Sequence, residues 1–350
     1  MCDPMYNLQH VLLDYVVCVC VCLIHKNVFT PHDDYEAFMT IGFILDHPEA
    51  IQEEYDTSLS IIHSLRTRHN CEVWVTHADD LYLRDNTLHS RWRLCTYSHG
   101  RPYAESLVNA WDAPADGTLR AMVMRKDPPV DAFYIQTLQL LQHTQVPVLN
   151  SPAALMRYNE KLLPLYGPFA VPDTVVSSSY DRVWDYHKHI RSRWVMKSLV
   201  DCGGNRVFLL EPSATELEVQ QYFQQCSSNS TSEVMMQPFI PEVRLGDKRI
   251  FMLHGKILGW VLRVPQRGNF KANLHQGATP APFKLSAQDR SICAWVASFL
   301  PPDEVPMVAV DIIHGFLTEV NITSPSGVLE IQKVSGVSVQ DHVADYLMQI

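Results

Sequence analysis

Two apolar runs near the carboxyl end, Met307 to Ile313 and Phe316 to Ile322, flank the dipeptide His314-Gly315. Such runs on either side of two turn residues specify antiparallel strands joined by a tight turn. This pairing constrains the chain more than any other segment, because it decides which polar side chains share a face. Asp311, Glu319 and Asn321 interrupt the runs. Glu319 and Asn321 are two apart and so project from the same side of a strand. Asp311 meets them from the partner strand. Two carboxylates and an amide oxygen are the hard donors Mg²⁺ accepts when phosphate oxygens complete its shell. The same residues could equally form the solvent face of a hairpin, and spacing alone leaves both readings open.

At 350 residues the chain has room for two or three domains. Its hydrophobic content of 47% and charged content of 19% are ordinary for a globular protein. A formal charge of −10 argues against nucleic acid as a partner, which needs a basic footprint. An anionic ligand would then be held by locally placed Arg and Lys. The nine cysteines form no C-x-x-C pair, so zinc and redox motifs are unsupported. Cys18, Cys20 and Cys22 alternate with valines, but no companion ligands point to a soft-metal cluster. The simple reading is reduced thiols in a cytoplasmic protein. His187 and His189 read as helix-surface residues rather than ligands. Val11 to Ile24 is apolar apart from Asp14, too short to span a bilayer, and lacks a basic region before it. Residues 1–38 read as an N-terminal extension outside the fold, with a membrane-associating leader as the rival.

From residue 39 to about 160, strand and helix patterns alternate. Strands are predicted at Ile41–Leu45, Cys71–Val75, Leu119–Met124 and Val146–Leu149, and helices at Tyr55–Arg68 and Ala132–His143. That is an α/β, Rossmann-like domain with a mostly parallel sheet, whose ligands sit beyond the strand carboxyl ends. Arg125 stands at such an end, as a ligand contact or as a surface partner of Asp127. From about 161 the pattern becomes α+β. Strands at Trp194–Leu199 and Val207–Leu210 and a helix at Glu216–Gln225 make a small unit. Val234–Ile240 leads into a larger region of antiparallel strands with helices at Ile292–Leu300 and Val339–Met348. Lys197, Arg249 and Arg263 lie inside apolar strand runs, where a charge needs a partner.

Five ordered blocks resemble the bacterial-type glutathione synthetases, which are ATP-grasp ligases: MRKDPP (124–129), NSPAALMRYNEKLL (150–163), GDKRIFMLHGK (246–256), LRVPQRGNFKANL (262–274) and DIIHGFLTEVNITSPSG (311–327). The resemblance implies a pre-ATP-grasp α/β domain at 39–160, an ATP-grasp lid subdomain at 161–236 and a catalytic core at 237–350. It implies an ATP-dependent ligase joining γ-glutamylcysteine to glycine through an acyl phosphate, with Mg²⁺, or Mn²⁺ in its place, on Asp311, Glu319 and Asn321. A related ligase for another acid or amine, and a non-catalytic nucleotide-binding paralogue, are the alternatives. The nucleotide would be held by Lys161, Lys197, Gly203, Gly204, the strand Gln237-Pro238-Phe239-Ile240 and Asp247. Arg249, Arg263 and Lys271 would face the reacting centre. Arg125, Arg249, Arg263, Asn273 and the loop Ser324-Pro325-Ser326 would hold the peptide substrate, and Gln266–Gly277 would be the mobile loop. The family also suggests a homo-oligomer, with no nucleic-acid or membrane partner.

The chain departs from the family pattern at several places, among them Val200, where an aspartate is usual, and the glycine-poor stretch HQGATP. Asp201 stands where the small lid loop carries glycine, and a carboxylate there would repel phosphate unless screened. Lys271 replaces an arginine, which keeps the charge but loses the bidentate fork. Glu53 and Glu54 fall in a stretch that tends to carry lysine.

Overall fold

The structure is a computed structural model and describes residues 40–229, 231–273 and 276–350. Contacts group the chain into Met1–Phe38 and Met39–Ile350, and the second unit is the one described. The extension at 1–38, with Val11–Ile24 and Cys18, Cys20 and Cys22, lies outside the described residues. Among the described residues no helix is long and apolar enough to cross a membrane.

The amino-terminal sheet is built from β1 (Thr40–Leu45), β2 (Glu72–His77), β3 (Leu81–Arg84), β4 (Thr87–Cys95), β5 (Leu107–Pro114), β6 (Ala121–Met124) and β7 (Val148–Leu149). Its order is β3-β4-β2-β1-β6-β7, with β5 on β4. The pairings of β1 with β2 and β6, and of β6 with β7, are parallel. The expected mostly parallel sheet is nevertheless mixed, because β3, β4 and β5 form an antiparallel meander. Its first turn is Asp85-Asn86, both at positive φ (51° and 60°), a two-residue hairpin turn made without glycine. Helix α1 (Thr57–His69) starts where Asp56 accepts from the Leu59 N–H at 2.7 Å and stops at left-handed Asn70. It buries Leu59, Ile61, Ile62 and Leu65. Helices α2 (Ala132–Leu140) and α3 (Pro152–Arg157) complete this part.

A second, antiparallel sheet runs β10-β9-β11-β8, with β8 (Val175–Ser177), β9 (Trp194–Ser198), β10 (Val207–Leu210) and β11 (Val234–Pro238). Helices α4 (Tyr180–His187) and α5 (Glu216–Cys226) share its core, which includes Val183, Met196, Val219, Phe223 and Val234. A reciprocal capping box of Thr215 and Glu218 starts α5. Strand β11 stays hydrogen-bonded between β9 and β8 rather than crossing into the larger region. His187 is buried against the Ala214 carbonyl, not on the helix surface, while His189 is exposed beyond the helix end.

The third sheet is antiparallel in the order β14-β13-β12-β15-β16, from β12 (Asp247–Leu253), β13 (Lys256–Val264), β14 (Thr279–Ala281), β15 (Met307–Ile313) and β16 (Phe316–Asn321). Helices α6 (Ala287–Phe299), α7 (Val328–Ser335) and α8 (Val339–Leu347) cover it. The helix α8 residues Val339, Val343 and Leu347 share one buried cluster with Leu59 and Ile62 of α1, so first and third sheets have a common core. Lys248 of β12 is paired with the buried Asp289 of α6 at 2.7 Å.

Two buried polar side chains fasten the joint between the halves to the β15–β16 hairpin. Asn150 accepts from the Met307 N–H at 3.0 Å and donates to the carbonyls of Met307 (2.8 Å) and Ile322 (2.6 Å). Glu160 accepts from the N–H groups of Ile322 (2.6 Å) and Thr323 (2.8 Å) and from the Thr323 hydroxyl (2.8 Å). Removing the Asn150 amide leaves three buried backbone groups unmatched. Asn150→Ala is expected to destabilise the fold by about 3 kcal/mol, which urea unfolding followed by circular dichroism would measure.

Candidate active site

The hairpin places its three polar residues together. Asp311 is paired directly opposite Glu319, and Ala309 opposite Asn321, so the trio shares one face of the sheet. Asn321 reaches Asp311 itself, donating from its amide nitrogen at 3.3 Å. Arg249 of the adjacent β12 grips Asp311 through both oxygens, Nε at 2.8 Å and Nη2 at 2.7 Å. Arg263 of β13 lies 3.0 Å from Asp311 and also bonds Asp247. All four of Arg249, Arg263, Asp247 and Asp311 are buried. Burial alone would raise the Asp311 carboxyl, but Arg249 and Arg263 hold it far below the usual carboxylate range. Burial keeps Asp247 above that range despite Arg263. Asp247 Oδ1 and Arg263 Nε have no hydrogen-bond partner among the described residues, although both are buried. Orphaned atoms of this kind are where a ligand completes a polar network.

The trio stands where two cavities meet. The first, of about 140 Å³, lies between the second and third sheets. Its apolar end is walled by Val171, Val195, Phe239, Ile240, Val243 and Phe270. Phe270, which the sequence reading passed over, meets Phe239 edge to face at 6.1 Å. The Phe239 N–H is already committed to the Arg193 carbonyl at 2.9 Å. The Gln237 side chain turns away to Thr174 at 3.0 Å. At the polar end Lys161, Lys197, Arg263 and Lys271 face Asp201, Asp247, Asp311 and Glu319. Four cations thus balance four anions. Lys161 is bound to Glu319 at 3.0 Å and to the Asp201 carbonyl. Burial works against its charge, but Glu319 and Glu160 more than offset that, so its pKa stands above the usual lysine value. Lys197 lies on β9 opposite Val207 and Met235. Burial pushes it down to about 8, against the pull of Glu319.

The lid loop Asp201-Cys202-Gly203-Gly204 borders both cavities through Cys202 and Gly203. Asp201, the expected source of repulsion, is screened by Arg206 at 3.2 Å. Burial raises the Cys202 thiol to about 12, so it stays protonated and offers no nucleophile. Gly204 has φ of +78°, and a Cβ there would lie 2.6 Å from Asn273 Oδ1 and 3.6 Å from the Lys271 side chain. The segment carrying Lys271 and Asn273 is therefore seated directly on this glycine.

The second cavity, of about 350 Å³, extends from Glu319 and Asn321 toward the first turn of α1. Arg125 lines it and is 5% exposed, so it is not a surface partner of Asp127. It donates to Ser58 Oγ at 2.9 Å and to the Pro325 carbonyl at 3.0 Å. Ser324 donates to Asp127, and Ser326 accepts from Arg249 at 3.1 Å through Oγ, which ties this loop to both domains. Gln52 and Tyr55 line the cavity; Glu53 and Glu54 do not, and Glu53 instead accepts from the Tyr103 N–H at 2.8 Å. The expected change of sign at 53 and 54 thus falls outside the cavity wall.

The depressed Lys197 has a measurable consequence. Phosphate oxygens hold an ammonium protonated, whereas the ligand-free site releases that proton above pH 8. A phosphate-bearing ligand bound beside Lys197 at pH 9 should take up about one proton and at pH 7 almost none, and its affinity should fall as pH rises past 8. Calorimetric titrations in two buffers of different ionisation enthalpy would read the uptake, which Lys197→Met should abolish.

Two family models match the chain: prokaryotic glutathione synthetase, N-terminal domain, over residues 39–156, and prokaryotic glutathione synthetase, ATP-grasp domain, over residues 160–336. Glutathione synthetase of Thermosynechococcus vestitus is 31% identical over 324 residues, 88% of this chain and 99% of the relative. That of Gloeobacter violaceus is 32% identical over 322 residues, covering 89% and 97%. Among solved structures, D-cycloserine synthetase DcsG aligns with a TM-score of 0.61 at 16% identity, covering 88% of this chain and 99% of that one. A RimK domain ATP-grasp protein from Sphaerobacter thermophilus aligns at 0.57 with 17% identity and the same coverage. The structural likenesses establish the ATP-grasp fold, and the family models together with the relatives of 31% and 32% identity show that this chain is a member of the prokaryotic glutathione synthetase family.

Proposed function

We propose that the chain joins γ-glutamylcysteine to glycine using ATP, giving glutathione, ADP and phosphate. The observation that carries this reading is Glu319, which lines both cavities at once. A phosphate donor in the first and a carboxylate in the second would meet across it. The apolar end of the first cavity suits a nucleobase, and Asp247, the buried Lys161 and the half-buried Lys197 suit the ribose and phosphates. Because its charged groups balance, the cavity has no surplus positive charge of its own for a triphosphate.

The donor chemistry around Glu319 fits a divalent cation. Glu319 and Asn321 present oxygen-bearing groups on one face, and Asp311 shares its carboxylate with Arg249 and Arg263. Mg²⁺, or Mn²⁺ in its place, would supply there the charge that screens the phosphates and polarises them.

The chain's own residues then position and neutralise. Lys161 and Lys197 hold phosphate oxygens. The cysteinyl carboxylate of the dipeptide attacks the terminal phosphorus, and the acyl phosphate forms as ADP leaves. Arg263 offers its orphaned Nε to the developing oxygen charge, and Lys271 adds a cation on the wall of the same cavity. Arg249 keeps the Ser326 loop and the Asp311 strand in register. The glycine amine attacks the acyl carbon, and phosphate departs. Burial keeps Cys202 out of the reaction, and the two-step transfer needs no protein nucleophile. The screening of Asp201 by Arg206 favours this reading over a non-catalytic paralogue.

A coupled ADP-release assay with γ-glutamylcysteine and a panel of amines tests the proposal. Glycine should be the preferred amine. Glu319→Gln should lower kcat by about 10²-fold or more while leaving the unfolding midpoint near that of the parent. Turnover in the variant close to the parent's would refute the central role given to Glu319.

A further inference from the structure

The lid loop carries a carboxylate on a wall where phosphate oxygens would come to lie. Asp201 lines the first cavity and is 9% exposed. It is held from two sides. Its carbonyl accepts from Lys161 Nζ, and its carboxylate faces Arg206 Nε at 3.2 Å. Among the described residues that contact is its one ion pair, and Oδ2 makes no hydrogen bond. Between the two partners the chain makes a single turn. The Asn205 N–H closes it on the Cys202 carbonyl at 3.1 Å, and Gly203 and Gly204 pass through it at φ of +66° and +78°. The ion pair therefore joins the two ends of the turn that presents these glycines to the cavity.

Arg206 is fixed from behind. Its own φ is +47°, a backbone region that side chains rarely adopt. The Ser198 N–H and the Cys226 thiol donate to its carbonyl at 3.1 and 3.2 Å. Its Nη1 donates to Ser228 Oγ and, at 3.5 Å, to the Gln225 carbonyl in the last turn of α5. A cation suits that end of a helix. As a contribution to stability the pair is minor, because the Arg206 side chain is 38% exposed. Toward the cavity the balance differs, since the Asp201 side chain is only 11% exposed. Without Arg206 a poorly solvated carboxylate would stand unmatched beside the lysines. Four cations meet four anions on that wall, Asp201 included, and Arg206 does not line it. It is a fifth cation, committed to Asp201.

Building on the nucleotide reading of this cavity, we propose that Arg206 is a positioning residue for the nucleotide. It draws the Asp201 carboxylate back from the phosphates and holds the turn 201–206 against α5, so that the glycine backbone stays presented to the ligand. The two side chains act as one unit, with Asp201 harmless only while Arg206 is present.

Calorimetric affinity for ADP, with MgCl₂ present and the full chain used throughout, tests this on four proteins: the parent, Arg206→Met, Asp201→Asn and the double variant. Arg206→Met should bind ADP about tenfold more weakly at low salt, and the loss should shrink in about 0.5 M KCl, where an unmatched charge is screened. Asp201→Asn should stay within about twofold of the parent, because Arg206 keeps its hold on α5, and the double variant should return to the same range. In the ligase assay KM for ATP should follow the same order while KM for glycine does not move. Arg206→Gln replaces the methionine variant if that one does not fold. Parent-like affinity in Arg206→Met overturns the proposal. So does a loss that the double variant retains or that salt leaves untouched, which is the behaviour of a scaffold residue, and so do single-variant effects that simply multiply. A parent chain that does not bind ADP overturns the nucleotide reading itself, and the proposal with it.

Discussion

A carboxylate held between two guanidiniums in the interior organises this molecule. Asp311 on β15 is bracketed by Arg249 on β12 and Arg263 on β13, and Arg263 is bonded in turn to Asp247. The four charged groups tie three neighbouring strands together at the mouth of the cleft. Charges taken out of water at such a place are costly, and the cost is tolerable because each finds an opposite partner. The arrangement is incomplete on one side. Arg263 Nε and Asp247 Oδ1 stay unmatched, so the network is rigid where strands support it and open where a ligand would enter. Rigidity with an open valence is what preorganised electrostatic stabilisation requires.

The two cavities divide the work by composition. One has an apolar end and a balanced set of charges; the other is larger and polar, walled by Arg125 and the first turn of α1. They communicate past Glu319 and the Gly203 turn of the lid. The hairpin that carries Glu319 is held from behind by Asn150 and Glu160, both in the joint between halves. A displacement of that joint would therefore reach the reacting centre directly, through hydrogen bonds rather than through soft apolar packing. This is how side chains outside the cleft can share in fixing its geometry to a fraction of an ångström.

Much of this was readable from the chain. The β15 strand spans Met307–Ile313 as the apolar run does, and a period of two was enough to put Glu319 beside Asn321 and opposite Asp311. Lysine and arginine within apolar strands announced the buried charges. What sequence could not supply was pairing at a distance. Arg206 screens Asp201 from across a turn, and nothing local marks it as a partner. Asn150 and Glu160 sit in a proline-punctuated stretch with no periodicity, so their burial was invisible. The meander β3–β5 was missed because its Asp85-Asn86 turn lacks glycine and because β5 exposes residues such as Trp111.

The seating of Asn273 on Gly204 reaches beyond this one molecule. A methyl group there would push on the Asn273 amide end, and the positive φ of Gly204 already disfavours any side chain. Relatives that carry a larger residue at the glycine must shorten or redirect the residue opposite, and the two sites should change in step across lineages. A pair of columns that vary together would be the evolutionary imprint of a single steric contact.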